Sequence, residues 1–318
     1  MKRFVTAGLF LILCGLLLTG CLGRLSGPQP QSSQGYEAKD GTGYVLKLPH
    51  KPVRIVSLSI GTDEILMALV AADRVAALTY LADNGGISNI TEQAGLIPVR
   101  VKASAEQVIA LKPDLVLLPD WQPLELVQLL RDAGVPVYVY KDPSTIDEVK
   151  KVIAAIAGVV GEEEKGRLLV AEMDAELARI AEKVRAVPEK RRKVVLQFTV
   201  MGGSGGTGST FDDICRKAGV INGAAKAGMG MNELLSKEQI VEINPDIFLM
   251  PTWDATGKQD PEKFKEDIRS DPALQTVTAI RDNKLIPVPD RHVYASSQYI
   301  VRAVRDIAAA AYPDLLGQ

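Results

Sequence analysis

Residues 104–121 read SAEQVIALKPDLVLLPDW, and residues 236–253 read SKEQIVEINPDIFLMPTW. In one register the two stretches share Ser, Glu, Gln, Pro, Asp, Leu, Pro and Trp, and half of the other positions exchange one aliphatic residue for another. They lie about 130 residues apart, and each closes on one of the chain's 2 tryptophans. The pattern dictates a local structure. Ser104 with Gln107, and Ser236 with Gln239, have capping-box spacing, the hydroxyl accepting from a first-turn amide while the glutamine reaches back. The Pro-Asp pair stops the helix, because proline disfavours helix in the residue before it. An apolar strand follows, then a proline and a tryptophan just past its end.

The rest of the chain continues this grammar. RIVSLSI, VAALTY, DLVLLP and VPVYVY read as short strands separated by helices such as TDEILMALVAA and ELVQLLRDAG. After residue 188 the series recurs with KVVLQFTV, DIFLMP and KLIPVP as strands and QYIVRAVRDIAAAAY as a closing helix. Apolar strands alternating with helices specify parallel sheets covered on both faces. The expected fold class is therefore α/β, with two three-layer lobes of mainly parallel sheet. Between them, residues 144–188 carry apolar residues at three- and four-residue spacing with charges on the other face, which is helical. Gly158 and Gly161 are expected to divide this stretch. Its longer part, about Glu162 to Val187, spans roughly 39 Å as a single strut between lobes. No sustained heptad seam marks it for dimerisation, so a monomer is expected.

The N-terminus bears on location. Lys2 and Arg3 precede the apolar run FVTAGLFLILCGLLL, shorter than the about 20 residues of a membrane span, as in a secretory signal. LTGC at Leu18–Cys21 resembles the bacterial lipobox, which implies cleavage before Cys21 and its diacylation. The following stretch, rich in Gly, Ser, Gln and Pro, reads as a flexible tether. The expected organisation is a signal over 1–20, a lipidated N-terminus and tether over 21–43, a first lobe over 44–143, connecting helices over 144–188 and a second lobe over 189–318.

Composition excludes several functions. The net charge of −2 gives no electrostatic footprint for nucleic acid. Of 3 cysteines, Cys14 lies in the signal and Cys21 carries the expected lipid, which leaves Cys215 alone as a buried core residue without a disulfide. Only His50 and His292 are available, too few for a zinc or manganese site. His292 is the only candidate base for a hydrolase. In MGGSGGTGST, Gly203, Gly205 and Gly208 satisfy GxGxxG, but the P-loop lysine is replaced by Ser209 and no acid-ended strand follows for a dinucleotide. The loop reads first as a glycine turn that lets a bulky ligand approach at Gly203 and Gly205. An exported hydrolase or nucleotide-binding protein using Gly203–Gly208 is the alternative.

In an α/β layer the N-terminus of a helix shares an edge with the C-terminus of the strand after it. Glu106 and Trp121 are thus expected on one edge of the first lobe, and Glu238 and Trp253 on the matching edge of the second. Ligands of open parallel sheets bind outside the strands' carboxyl ends. The glutamates have a plain role as well, stabilising a helix dipole by about 0.3–1 kcal/mol each.

RIVSLSIGTDEILMALVAADRVAAL followed by SAEQVIALKPDLVLLPDW resembles the substrate-binding proteins of ABC importers for ferric siderophores, haem and cobalamin, from Pro52 to the terminal AYPDLLG. The resemblance implies a helical-backbone fold with modest closure, and a non-enzymatic, lipid-anchored receptor on the outer face of the cytoplasmic membrane. It implies no intrinsic cofactor. The transported ligand is an iron chelate, haem or a corrinoid, and the partner is an ABC permease dimer with its ATPase subunits, docked through Glu106 and Glu238. Strand-end loops supply the ligand candidates: Ser59, Tyr80 (an axial ligand if the cargo is haem), Trp121 and Trp253 for a corrinoid, Arg100, Arg291 and Tyr294 for an anionic siderophore, and Met231 in GMGM.

Overall fold

The alternation of short apolar runs and amphipathic segments is realised as two parallel sheets. The structure is a computed structural model and describes residues 35–199, 202–203, 205–254 and 256–316. The expected signal, Cys21 and the tether up to residue 34 lie outside these residues.

A hairpin of β1 (Tyr36–Lys39) and β2 (Val45–Leu48) opens the folded body. The first lobe carries β3 (Ile55–Ser57), β4 (Val75–Thr79), β5 (Arg100–Val101), β6 (Leu115–Pro119) and β7 (Val137–Tyr140). They run in parallel in the order β5-β4-β3-β6-β7. The second lobe carries β8 (Val194–Thr199), β9 (Gly202–Gly203), β10 (Ile221–Asn222), β11 (Ile247–Met250) and β12 (Leu285–Pro287). Its parallel path is β10-β8-β11-β12, with β9 antiparallel on β8. In both lobes the strand order reverses beside the strand of the repeated segment, at β3/β6 and at β8/β11. Such switch points are where open α/β sheets form their crevices.

The helices used below are α1 (Ile60–Leu69), α2 (Ala105–Ala110), α3 (Leu124–Asp132), α4 (Ile146–Val160), α5 (Glu163–Val184), α6 (Thr210–Lys217), α7 (Lys237–Ile243) and α8 (Ile300–Ala311). The connecting stretch divides at Gly161 alone, whose φ of 70° ends α4; Gly158 remains inside the helix. The strut α5 has 22 residues, or roughly 33 Å, somewhat shorter than expected. Glu162, just ahead of it, accepts from Arg74 Nη1 at 2.6 Å and Lys51 Nζ at 2.9 Å.

One hydrophobic core runs through both lobes. Ile65 and Leu117 of the first, Ile153 of α4, Met173 of α5, Ile307 of α8 and Leu249 of the second belong to a single buried cluster. The outer sheet faces pack separately, Leu118 among first-lobe residues and Phe248 among second-lobe residues. Alternation along β6 and β11 thus assigns adjacent residues to different cores. Cys215 is a buried thiol on α6.

Residues 36–43, expected as part of the tether, are instead part of the folded body. Tyr36 donates its hydroxyl to Val159 O at 2.7 Å, Gly41 N donates to Val139 O at 2.7 Å, and buried Asp40 pairs with Arg131 Nη2 at 2.7 Å. These ties fix the hairpin to β7 and α4, so the folded body begins ahead of residue 44.

Candidate functional site: the cleft between the lobes

Two cavities meet between the sheets' carboxyl edges, about 390 Å³ against the first lobe and about 290 Å³ against the second. Asp142 and Ser296 line both, which makes them halves of one cleft. In the first half most polar contributors follow a strand: Ser59 after β3, Tyr80 after β4, Lys102 after β5, Trp121 and Gln122 after β6, and Asp142 after β7, while Thr79 and Tyr140 end β4 and β7 and Ser296 comes from the second lobe. The second half receives Gln197 from β8, with Gly205, Met231 and Tyr294 from loops.

Large apolar groups stand open here. Trp121 is 60 % exposed, Tyr80 55 %, Met231 46 % and Tyr294 46 %. Exposed aromatic groups of this size in a concave site are the usual mark of a binding surface. Lys102 Nζ stands 5.4 Å from the centre of the Tyr80 ring. Gln197 Nε2 donates to Tyr294 Oη at 2.9 Å, while burial and the Asp290 charge push that phenol up to about 12. Tyr294 therefore enters the cleft as a neutral phenol.

The floor beneath the first half is a satisfied polar layer. Ser59 Oγ, Thr62 Oγ1 and Tyr140 Oη form a triangle with edges of 2.7, 2.8 and 2.9 Å. Ser59 also caps α1, accepting from Thr62 N at 3.1 Å. The N-terminal half of α1 then holds two buried carboxyls, Asp63 in its first turn and Glu64 next to it. Asp63 accepts from Thr79 N at 3.2 Å and Thr79 Oγ1 at 2.5 Å, and burial raises its pKa to about 7. Glu64, also raised by burial, accepts from Asn89 N and Nδ2, both at 2.8 Å.

Glu64 also joins the lobes. Ser297 Oγ donates to its carboxylate and Gln298 Nε2 to its carbonyl at 2.9 Å, while Asn89 Nδ2 donates to Arg291 O at 2.6 Å. Beside this network Trp253 lies on Gly86, where a Cβ would come 2.2 Å from the indole Cδ1. Asp290 fixes the Trp253 loop by accepting from Thr252 N at 2.5 Å and Trp253 N at 2.8 Å.

The cleft thus gathers Ser59, Tyr80, Trp121, Gly205, Met231 and Tyr294 and leaves out three other candidates. Trp253 lines neither half, because its ring is engaged by Gly86 of the opposite lobe. Arg100 is engaged locally, donating to Asp83 at 2.6 and 2.8 Å and to the carbonyls of Ile97 and Ala94. Arg291 reaches Gly85 O at 3.3 Å, across the lobe junction. Gly203 lies in β9, paired with Phe198. Sequence reasoning missed Lys102, Gln122, Asp142, Gln197 and Ser296. The first three follow strands, and that position was their only available signal.

Glu106 and Glu238 are exposed in the first turns of α2 and α7. The backbone N–H of its own residue and the Ser236 hydroxyl hold the Glu238 carboxyl below the usual range. At the start of α6 Ser209 accepts from Asp212 N, and Asp212 and Asp213 place negative charge in its first turn, which disfavours a phosphate there. His292 Nδ1 pairs with Asp306 at 2.5 Å, and its buried Nε2 has no partner among the described residues, so no nucleophile is attached to it there. Among the described residues no group of three or more His, Cys, Asp or Glu is placed to hold a metal ion.

Residues 55–292 match the sequence profile described as periplasmic binding protein. A cobalamin-binding protein of Halobacterium salinarum is 25% identical over 326 residues, covering 97% of this chain and 84% of the relative. An iron-uptake system-binding protein of Bacillus subtilis is 24% identical over 215 residues, covering 66% of this chain and 63% of its own. Among solved structures, the apo form of the periplasmic heme-binding protein RhuT from Roseiflexus sp. RS-1 superposes with a TM-score of 0.69 at 26% identity, over 82% of this chain and 98% of its own. The molybdate-bound MolA of Haemophilus influenzae reaches 0.73 at 21% identity, over 89% and 93%, a likeness of fold. With its two parallel-sheet lobes and a profile match over most of its length, the chain belongs to the periplasmic binding protein family.

Proposed function

We propose that the protein is the lipid-anchored receptor of an ABC importer and that its ligand is a corrinoid, taken up in the inter-lobe cleft and handed to a membrane permease. The observation that carries the choice of ligand is a cleft rich in exposed aromatic surface and poor in cations. Trp121, Tyr80, Tyr294 and Met231 offer flat or soft apolar area, while Lys102 is the only cation among the described lining residues. An anionic ferric siderophore or an oxyanion calls for several donors of positive charge. Here Arg100 and Arg291 are engaged elsewhere, and the helix N-terminus opening beneath the cleft already holds Asp63 in its first turn. A corrinoid presents a broad apolar macrocycle fringed by amides, which suits aromatic platforms and scattered hydroxyl and amide groups. The near full-length relative from Halobacterium salinarum, a cobalamin-binding protein, supports the same choice.

Haem is the second reading, favoured by Tyr80, a half-exposed phenol beside Lys102. Lipidation at Cys21, the sequence LTGC and the position outside the cytoplasmic membrane complete the proposal. Among the described residues no helix is long and apolar enough to cross a membrane. Glu106 and Glu238, exposed on the first turns of equivalent helices, are the proposed permease contacts. The discriminating experiment mixes purified protein with cyanocobalamin, haemin, a ferric catecholate siderophore or molybdate and follows co-elution in gel filtration. Retention of cyanocobalamin in preference to the others is expected; preferential retention of haemin, siderophore or molybdate would overturn the corrinoid assignment.

A further inference from the structure

We propose that Asp142 sets the charge class of the ligand, accepting N–H groups from a neutral or cationic cargo and repelling cargo that carries carboxylates. This inference rests on the corrinoid reading of the cleft and adds to it the residue that enforces the selection.

Position comes first. Asp142 follows β7 at the carboxyl edge of the first sheet and lines both halves of the cleft, so a ligand bridging the lobes must pass it. Among the described lining residues only Lys102 and Asp142 carry full charge. Their circumstances differ, because Lys102 stands over the Tyr80 ring whereas no lysine or arginine pairs with Asp142 among the described residues.

Beyond the Trp121 indole, the carboxylate has no side-chain donor among the described residues. The loop is held through the backbone, with Asp142 N donating to Asp120 Oδ1 at 3.0 Å. Partial burial and the neighbouring Asp120 charge raise the Asp142 pKa above the ordinary carboxylate value, with the Trp121 indole offsetting part of that rise. This is a carboxylate short of donors, and a ligand N–H supplies one. A second negative charge brought beside Asp142 and Asp120 meets like-charge repulsion, the kind of repulsive element that makes a site selective.

The chemistry of the cargo then follows from geometry. A flat ligand packed on Trp121 turns its periphery toward Asp142 at the platform's edge. An amide-fringed macrocycle donates there; one fringed by carboxylates does not.

The test compares wild type with Asp142→Asn and Asp142→Lys. The loop is tied through the Asp142 backbone N–H rather than through its carboxylate, so all three proteins should fold, which circular dichroism checks. Affinities for cyanocobalamin, for dicyanocobinamide (which keeps the ring amides) and for haemin are read from visible spectra. Asp142→Asn should weaken both corrinoids by about tenfold or more, the loss of a hydrogen bond to a charged acceptor. Asp142→Lys should shift the ratio of haemin to corrinoid affinity toward haemin by at least as much. If wild type binds corrinoids and both variants keep its affinities and its ratio, the role of Asp142 falls while the corrinoid reading stands. If wild type prefers haemin, or binds no corrinoid, both fall.

Discussion

Trp121 and Trp253 hold the same position in two copies of one segment and have different surroundings. Trp121 stands open over the cleft, whereas Trp253 closes on Gly86 of the other lobe. The difference comes from neighbours far away in sequence, since a glycine at 86 leaves room that any Cβ would fill. Asp63 likewise shows what burial does to a single group. Its carboxyl has an ordinary value of 3.8 and is raised to about 7, chiefly by burial. The native state therefore binds more protons than the unfolded chain between those two values. The stabilisation is fully present below about pH 4 and is lost as pH rises through about 7, by an amount on the order of 4 kcal/mol. Thermal melts at pH 5 and pH 8 should give a lower midpoint at pH 8, and Asp63→Asn should flatten that dependence. An equally steep decline in the variant would assign the effect to other groups.

At the scale of elements, the repeated segment shows how far local pattern reaches. Ser236 and Gln239 form the full capping box, Gln239 Oε1 accepting from Ser236 N at 2.9 Å. Ser104 caps α2 in the same way, but Gln107 accepts from Lys102 N instead, at 3.2 Å. The residue before each proline takes the left-handed conformation, Lys112 at φ 48° and Asn244 at φ 46°. The aspartate after it ties down the neighbouring strand. Asp114 accepts from Val53 N and Arg54 N, both at 2.8 Å, and Asp246 from Val194 N at 2.8 Å and Lys193 Nζ at 3.1 Å. Replacing either aspartate with alanine should cost about 2 kcal/mol in urea unfolding with an unchanged slope. A loss below a few tenths would deny that these ties hold the switch-point strands together.

The lobes were legible in the sequence because strand–helix alternation is a local signal. The hairpin over Tyr36–Leu48 was not, since its strands are half polar and its stability comes from Val159, Val139 and Arg131, far along the chain. The site was legible only in part, for the same reason. Trp121 and Tyr80 are marked by their place at strand ends. The removal of Trp253 and Arg291 from the cleft depends on which loops meet across the junction, and that of Arg100 on the Asp83 loop folding back beside it.

At the scale of the whole molecule, a shared core and a polar clamp limit how the lobes can move. Ile153, Met173 and Ile307 belong to the same buried cluster as both sheets, and Glu64 ties the first lobe to Ser297 and Gln298. Separating the lobes widely would expose that cluster and strip a buried carboxylate of its donors, so the cleft is held near one width. A receptor of fixed shape is suited to rigid docking on a permease. Glu106→Ala with Glu238→Ala should reduce corrinoid uptake in cells by tenfold or more, in line with the loss of interfacial charge pairs, while leaving the Kd of the purified protein unchanged. Undiminished uptake by the double variant would remove these residues from the interface.

The most direct measurement is a titration of the purified protein with cyanocobalamin, read by visible absorbance, for wild type and Trp121→Ala. Saturable one-to-one binding at micromolar Kd or tighter is predicted for wild type, with a loss of tenfold or more when the Trp121 platform is removed. Absence of saturable binding by wild type, or equal affinity in the two proteins, would contradict a corrinoid receptor built on this cleft.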